Sequence, residues 1–541
     1  MKSSTKYFNI LCIFLSIFFL FISINVQAET FNYDSLRSLP VLDQGRIKPL
    51  DTFARESVSQ ITGKTYFEGK DPLEVLLLWL AQGESTFDSK VILSRHKGLN
   101  KRLEISATKN YVSEKELLEN KNFKSFLQGI TLKQQEGKNL DVLEKEGSTL
   151  YNRLDLLHRI VVGEALVIFP VQKNHWESLA THPGKENLEL VTALLSSLKS
   201  REANIFNQSA AALVQKLSVI ADQTGAYPKH LEMQRELTFN HVRPFQKAWI
   251  FSLIAFVVVL LAAISGQRFF YASAIFSALL SCSFSIYGFI VRSFISGHPP
   301  VTNMYESVIW VSFAALLFAL IFEAIYRSKF FLLSGAAGAT IGFVLSDNLP
   351  NVLNPNINPL VPVLRDNFWL TIHVLTITLS YAAFLLAMGV GQMALGYYAF
   401  KPQAKETIKN LNLFLYRAIQ VGVILVAAGT ILGGVWANYS WGRFWGWDPK
   451  EVWALIVLLG YIIILHGRFA GWLRDFGMAL WSVLAFLLVI MAWYGVNFIL
   501  GVGLHAYGFS SGGLTGVSIF VAIQLAWVLF ATWRHKRVRD G

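Results

Sequence analysis

Residues 411–468, LNLFLYRAIQVGVILVAAGTILGGVWANYSWGRFWGWDPKEVWALIVLLGYIIILHGR, decide how this chain is read. Two apolar runs, near 411–436 and 451–468, flank a segment 436–453 that holds five tryptophans, two glycines and a proline. A run of about 20 apolar residues crosses a hydrocarbon core of ~30 Å at 1.5 Å per residue. The pair is therefore two membrane-spanning helices joined by an aromatic connection. A connection carries so much aromatic surface only if something flat and apolar covers it, or if it is half sunk in the membrane interface. A belt of interfacial Trp and Tyr is the ordinary alternative, but belt residues scatter over helix ends. Here Trp436, Trp441, Trp445, Trp447 and Trp453 crowd together with Gly442, Arg443, Gly446 and Asp448, which favours a binding platform.

The same pattern extends outward. Hydrophobic residues make up 53% of the 541-residue chain and charged residues only 16%. Nine apolar segments are expected near 248–265, 269–291, 304–326, 330–346, 367–400, 411–436, 451–468, 477–500 and 514–533. The fold class is thus an all-α polytopic membrane protein, about nine transmembrane helices preceded by a mainly helical soluble extracytoplasmic domain. At the start, Lys2 and Lys6 precede the apolar run Phe8 to Ile24, and Val26-Gln27-Ala28 offers a small-residue cleavage pattern. Residues 1–28 are read as an export signal, with an uncleaved anchor as the alternative. Either version sends 29–245 across the membrane.

That leader domain carries apolar residues at helical spacing over Asp71 to Gln82 and Leu188 to Asp222. Its stretch Leu39-Pro40-Val41-Leu42-Asp43-Gln44-Gly45-Arg46-Ile47-Lys48-Pro49 reads as ordered and turn-rich. It shows no metal cluster, nucleophile constellation or phosphate loop, and His96, His158, His175, His182 and His230 read as surface histidines. Two cysteines, Cys12 in the signal and Cys282 in an apolar run, form no Cys-x-x-Cys motif, so thiol exchange is not expected of this chain. Nothing points to nucleic acid.

With residue 247 placed outside, thirteen Lys and Arg between Arg268 and Arg539 fall inside, against Arg292, Arg365, Arg443 and Lys450 outside. The C-terminal Arg534-His535-Lys536-Arg537 then becomes a cytoplasmic stop suited to anionic lipid. This topology sorts the histidines. His505, in the connection around 501–508, and His373, one to two turns into the fifth segment, share the face of the tryptophan connection. His466 lies in the inner half of the bilayer. Two imidazoles on opposite sides of a porphyrin make a stable axial pair for iron. The aromatic connection would stack on the macrocycle, and Arg443 or Lys450 could pair with its carboxylates.

At this point the residues carry a resemblance. The run Trp441-Gly442-Arg443-Phe444-Trp445-Gly446-Trp447-Asp448-Pro449-Lys450-Glu451 looks like the tryptophan-rich "WWD" signature of haem-handling membrane proteins. Within that group the chain is most similar to the CcsA (ResC) subunit of the System II cytochrome c synthetase. Pro299-Pro300-Val301-Thr302-Asn303-Met304-Tyr305-Glu306-Ser307, Leu465-His466-Gly467-Arg468 and Leu504-His505-Ala506-Tyr507-Gly508 follow in the family's order. The likeness covers about 250–533, and the leader resembles the region preceding this module in fused CcsB–CcsA proteins.

The resemblance implies that His373 and His505 ligate haem b at an external site. It implies a platform of Trp441, Gly442, Arg443, Trp445, Gly446, Trp447, Asp448 and Pro449, and a transmembrane haem site at His466. The implied function is cytochrome c maturation. Haem is carried across the bacterial inner (plasma) membrane and presented for thioether attachment to an apocytochrome c with a CxxCH motif, whose thiols other proteins keep reduced. The family takes a second transmembrane histidine from its CcsB (ResB) part, which has no counterpart here, so a separate CcsB-like membrane partner is expected. Glu306 and Asp448 are expected to shape the connection rather than touch haem. Two further readings stay open: a haem exporter or chaperone without ligation activity, and a b-type electron-transfer subunit.

Overall fold

A computed structural model describes residues 31–540 apart from 106–109, 139, 182–184, 229, 351, 361–363, 365, 502, 504 and 506–511. The expected export signal therefore lies outside the described residues, as do His182, Arg365 and Ala506-Tyr507-Gly508.

The turn-rich stretch of the leader is a hairpin. Strand β1 (Pro40–Asp43) pairs antiparallel with β2 (Arg46–Pro49), and Asp43 faces Arg46 across the turn. Gln44 and Gly45, at φ 50° and 78°, supply the two left-handed residues that a tight two-residue hairpin turn requires. The hairpin feeds a helix over Leu50–Thr62, closed by Gly63 at φ 73°. Asp71, as N-cap, starts the helix Pro72–Gln82. The expected helical stretch around 188–222 divides into Lys185–Ser200 and Ala203–Thr224, with Arg201 at φ 63° between them. Leu36, Phe53, Leu76, Leu157 and Phe206 join one buried apolar core for the whole leader.

Beside that core lies a charged layer. The Lys48 side chain is only 1% exposed and holds Asp43 at 2.8 Å and Glu56 at 2.6 Å. Burial pushes the Glu56 carboxyl up, against the pull of Lys48 and Arg46. Burial also acts to raise Asp51, but Arg55 and Arg37 outweigh it and hold its carboxyl below the ordinary 3.8. Arg46 grips both carboxylate oxygens of Glu236, at 2.6 and 3.0 Å.

Glu236 belongs to the helix His230–Val242, which leads into the membrane region through a left-handed Arg243 at φ 48°. Nine helices long and apolar enough to cross a membrane follow among the described residues. They are α1 (Pro244–Ser265), α2 (Arg268–Ser296), α3 (Met304–Tyr326), α4 (Phe330–Asn348) and α5 (Asn367–Phe400). Then come α6 (Lys405–Trp441), α7 (Pro449–Phe469), α8 (Asp475–Ile490), extended as a π-helix over Met491–Leu500, and α9 (Leu514–Asp540). The protein is an all-α polytopic membrane protein, as its apolar segments indicate.

Lipid tails are as apolar as the helices, so close backbone approach rather than the hydrophobic effect holds such a bundle together. Small residues permit it here. Gly335 sits against Ala315 and Ala319, and Gly422 against the ring of Phe384. One core unites α1 to α4, and a second joins α5 to α9 with α3.

Candidate functional site

The aromatic connection is shorter than the 436–453 read from the sequence. Helix α6 continues to Trp441 and α7 begins at Pro449, leaving Gly442 to Asp448 as the link. Trp436 is thereby a helical residue and is 1% exposed. Its ring lies parallel to that of His373, at 6.1 Å and 10°. It is also 5.8 Å from the ring of His505 and 4.6 Å from that of Trp441. Trp441 in turn meets His505 edge-on at 4.9 Å. One buried indole thus bridges two histidines that come from segments 132 positions apart in sequence.

Each histidine is fixed by its Nδ1. His373 Nδ1 lies 2.8 Å from the Gly429 carbonyl, and His505 Nδ1 lies 2.8 Å from Asp448 Oδ1. A carbonyl and a carboxylate only accept, so in each neutral ring the proton sits on Nδ1 and the Nε2 lone pair is left for another partner. Metal-binding imidazoles are commonly held this way by a carbonyl or carboxylate behind them. Glycine makes both approaches possible. A Cβ on Gly433 would stand 2.6 Å from the His373 ring, and one on Gly503, at φ 94°, would stand 2.2 Å from Asp448 Oδ2.

Asp448 also orders the link. It caps α7 through the Lys450 amide at 3.0 Å, in a reciprocal capping box with Glu451. Glu451 Oε2 takes the amides of Gly446 and Asp448 at 2.8 and 3.1 Å, and its Oε1 pairs with Arg443 at 2.9 Å. Glu306 works similarly on the preceding connection. It accepts from the Thr302 amide at 2.7 Å and hydroxyl at 2.9 Å, and pairs with Arg292 at 2.8 Å. Both carboxylates shape backbone, as their sequence neighbourhoods suggest.

His373, His505, Trp436, Trp445, Trp493 and Lys450 all line one cleft. Its wall is mostly apolar, with Thr302, Asn303, Ser307 and Asn497 as polar points. Trp493 and Asn497 sit on the π-helix that extends α8, where the widened turn re-aims side chains. Asn497 Oδ1 accepts from Lys450 Nζ at 2.8 Å, and Trp493 donates to Ser307 Oγ at 2.9 Å.

Not every residue singled out by the sequence joins the cleft. Arg443 is spent on Glu451 and on the face of Trp441, 5.6 Å from its centroid, and is absent from the lining. Trp447 is 70% exposed and meets Trp445 at 90°. His466 lies 17 residues along α7 from Pro449, roughly 25 Å from the cleft end at 1.5 Å per residue. It is exposed on the outer face of the helix, with Nδ1 3.0 Å from the Ile462 carbonyl. Of the leader histidines, His158 pairs with Glu114 at 2.7 Å, and no cluster of metal-binding residues occurs among the described residues. Sequence reading missed Trp493, Asn497 and the Gly429 carbonyl. The Gly429, Gly433 and Gly434 spacing on α6 is the one visible signal of a close approach there.

The family model described as Cytochrome C assembly protein matches residues 301–505, a span that begins and ends on the cleft. Protein NrfI of Wolinella succinogenes is 31% identical over 492 residues, covering 86% of this chain and 53% of that protein. The chain thus spans about half the length of NrfI. Cytochrome c biogenesis protein CcsA of Synechococcus sp. (strain CC9605) is 32% identical over 309 residues, covering 49% of this chain and 98% of that protein. The CcsA of Prochlorococcus marinus (strain NATL1A) is 33% identical over 302 residues, 48% of this chain and 92% of that protein.

Proposed function

We propose, from the premise that the chain belongs to the CcsA-type cytochrome c biogenesis proteins, that its cleft holds haem b between His373 and His505 and presents it for attachment to an apocytochrome c. A role in cytochrome c assembly follows from the family; the rest is our reading. The observation that carries it is the pair of imidazoles on one cleft, each oriented through Nδ1, with the Trp436 ring 6.1 Å from one and 5.8 Å from the other.

In this reading His373 and His505 would hold the haem iron through their Nε2 atoms. Asp448 and the Gly429 carbonyl hold the rings in place, so little reorganisation accompanies binding. Trp436 and Trp445 line the macrocycle and exclude water, while Trp441 packs against His505. Lys450, which lines the cleft as Arg443 does not, pairs with a propionate carboxylate. The outward part of the link, Gly442, Gly446, Trp447 and Pro449, is left to meet the incoming apocytochrome. Covalent chemistry rests on the haem vinyl groups and the CxxCH thiols of the apocytochrome, kept reduced by other proteins, and the chain contributes positioning. The orientation follows the basic-residue bias. The leader and the aromatic link are extracytoplasmic, the C-terminus is cytoplasmic and meets anionic lipid, and the membrane is the bacterial inner membrane.

His466, exposed at the far end of α7, fits a haem taken up from the cytoplasmic side and ligated jointly with a CcsB/ResB-like partner, since the described residues show no histidine facing it. The test is the absorbance spectrum of the detergent-purified chain and of His373→Ala, His505→Ala and His466→Ala. A bis-imidazole spectrum that fades in the first two variants and returns with added imidazole supports the reading. Equal spectra in all four chains would overturn it. A chain that releases free haem outside, with no attached product, would be an exporter.

A further inference from the structure

Arg46 of the hairpin does more than close a leader ion pair. Besides Glu236, it donates through Nε to the carbonyl of Ile357 at 3.1 Å, in the connection between α4 and α5. Immediately upstream, the carbonyls of Pro355 and Asn356 receive Arg292 of α2, at 2.8 and 3.1 Å. The third arm of Arg292 pairs with Glu306 at 2.8 Å, and both side chains are 2% exposed. Glu306 then holds the amide and hydroxyl of Thr302, and its own amide donates to Asn303. Thr302, Asn303, Met304 and Ser307 line the cleft.

A buried ion pair is poor value as stabilisation, because desolvation offsets its attraction, and its best-attested use is to fix register. Here the register it fixes is that of the cleft wall. Glu306 sits at the N-terminus of α3 and immobilises the turn 302–303, and Arg292 ties that turn to the carbonyls of Pro355 and Asn356. The leader ties the next carbonyl of the same segment, that of Ile357, through Arg46.

We infer that the leader domain positions the cleft wall, through Arg46, the 355–357 carbonyls, Arg292 and Glu306, and that Arg46 is a positioning residue for whatever the cleft binds. This rests on the proposed haem reading only for the identity of the occupant. The contacts run unbroken from Glu236 to Thr302, but spatial continuity is not energetic coupling, and the latter has to be measured.

Two variants of the full chain separate the relay from simple loss of leader stability. Arg46→Gln removes both the Glu236 pair and the Ile357 contact. The exchange Arg46→Glu with Glu236→Arg restores the ion pair while leaving the Ile357 carbonyl without its donor. Amide hydrogen exchange is followed in the haem-free chain, so the result does not depend on haem. In Arg46→Gln the Thr302 amide should exchange roughly tenfold faster, the scale of one lost charged hydrogen bond. In the double exchange the leader core should regain wild-type protection while Thr302 stays fast. Exchange changes confined to the leader in both variants would overturn the relay. A second arm reads the reduction midpoint of bound haem, which should shift in Arg46→Gln and in the double exchange alike. An unchanged midpoint would overturn the role in positioning the occupant. A wild-type chain that binds no haem would break the proposed function, while the exchange result would still decide the relay.

Discussion

The leader and the membrane region bury polar groups to different ends. In the leader, Lys48 pairs with Asp43 and Glu56, Asp51 with Arg37 and Arg55, and Arg46 with Glu236, so each of these charges meets an opposite one. In the membrane region, His373 and His505 each bond through Nδ1, with no partner for Nε2 among the described residues, and both line the same cleft. A closed network fixes a shape. A half-satisfied pair, flanked by an indole, suits the ligand we propose for it. The contrast locates chemistry in the membrane region and architecture in the leader, although the two halves touch at Ile357.

The largest expected effect breaks that contrast at its centre. His373→Ala or His505→Ala should cut maturation of a co-expressed reporter cytochrome c by at least about a hundredfold, with partial return on adding imidazole. Asp448→Asn comes next. It weakens the carboxylate behind His505, and losses of roughly 10- to 100-fold in affinity follow from such outer partners. A haem titration read by absorbance measures it. Lys450→Gln should weaken haem binding by about tenfold, in keeping with one charge-assisted hydrogen bond, whereas Arg443→Gln should change it less. If Arg443→Gln proves the more damaging, Lys450 is not the carboxylate partner.

The smallest effect sharpens the leader side. Asp51 is held below its ordinary value of 3.8 by Arg55 and Arg37, so its contribution to stability is complete above that pH and is lost as pH falls through the lowered value. Thermal unfolding of the leader should therefore be acid-sensitive below about pH 4. Asp51→Asn should flatten that dependence while leaving the haem spectrum at neutral pH unchanged.

What the sequence disclosed followed from period and length. Nine apolar runs after residue 247 correspond to nine long helices among the described residues, because a membrane span leaves the chain little choice of backbone. Alternation of those spans was enough to bring His373 and His505 to one face and send His466 to the other. Trp436 was legible as part of the aromatic connection, but not its burial against both histidines, because an indole at the end of an apolar run looks like any interfacial belt residue. Its burial depends on where α5 and the 501–505 connection pack. The π-helix over Met491–Leu500 has no periodic signature, so the aim of Trp493 and Asn497 at the cleft was invisible. Gln44-Gly45 marked a turn, yet the grip of Arg46 on Glu236, 190 positions away, is a product of tertiary packing alone.

The most direct test of the central claim is near-infrared magnetic circular dichroism of the oxidised, haem-loaded chain, which reports the axial ligands of iron. The account predicts the band of a low-spin bis-histidine ferric centre, replaced by a histidine–water or high-spin signal in both His373→Ala and His505→Ala. A bis-histidine signal that survives both substitutions would contradict it, and would place the haem of this chain elsewhere.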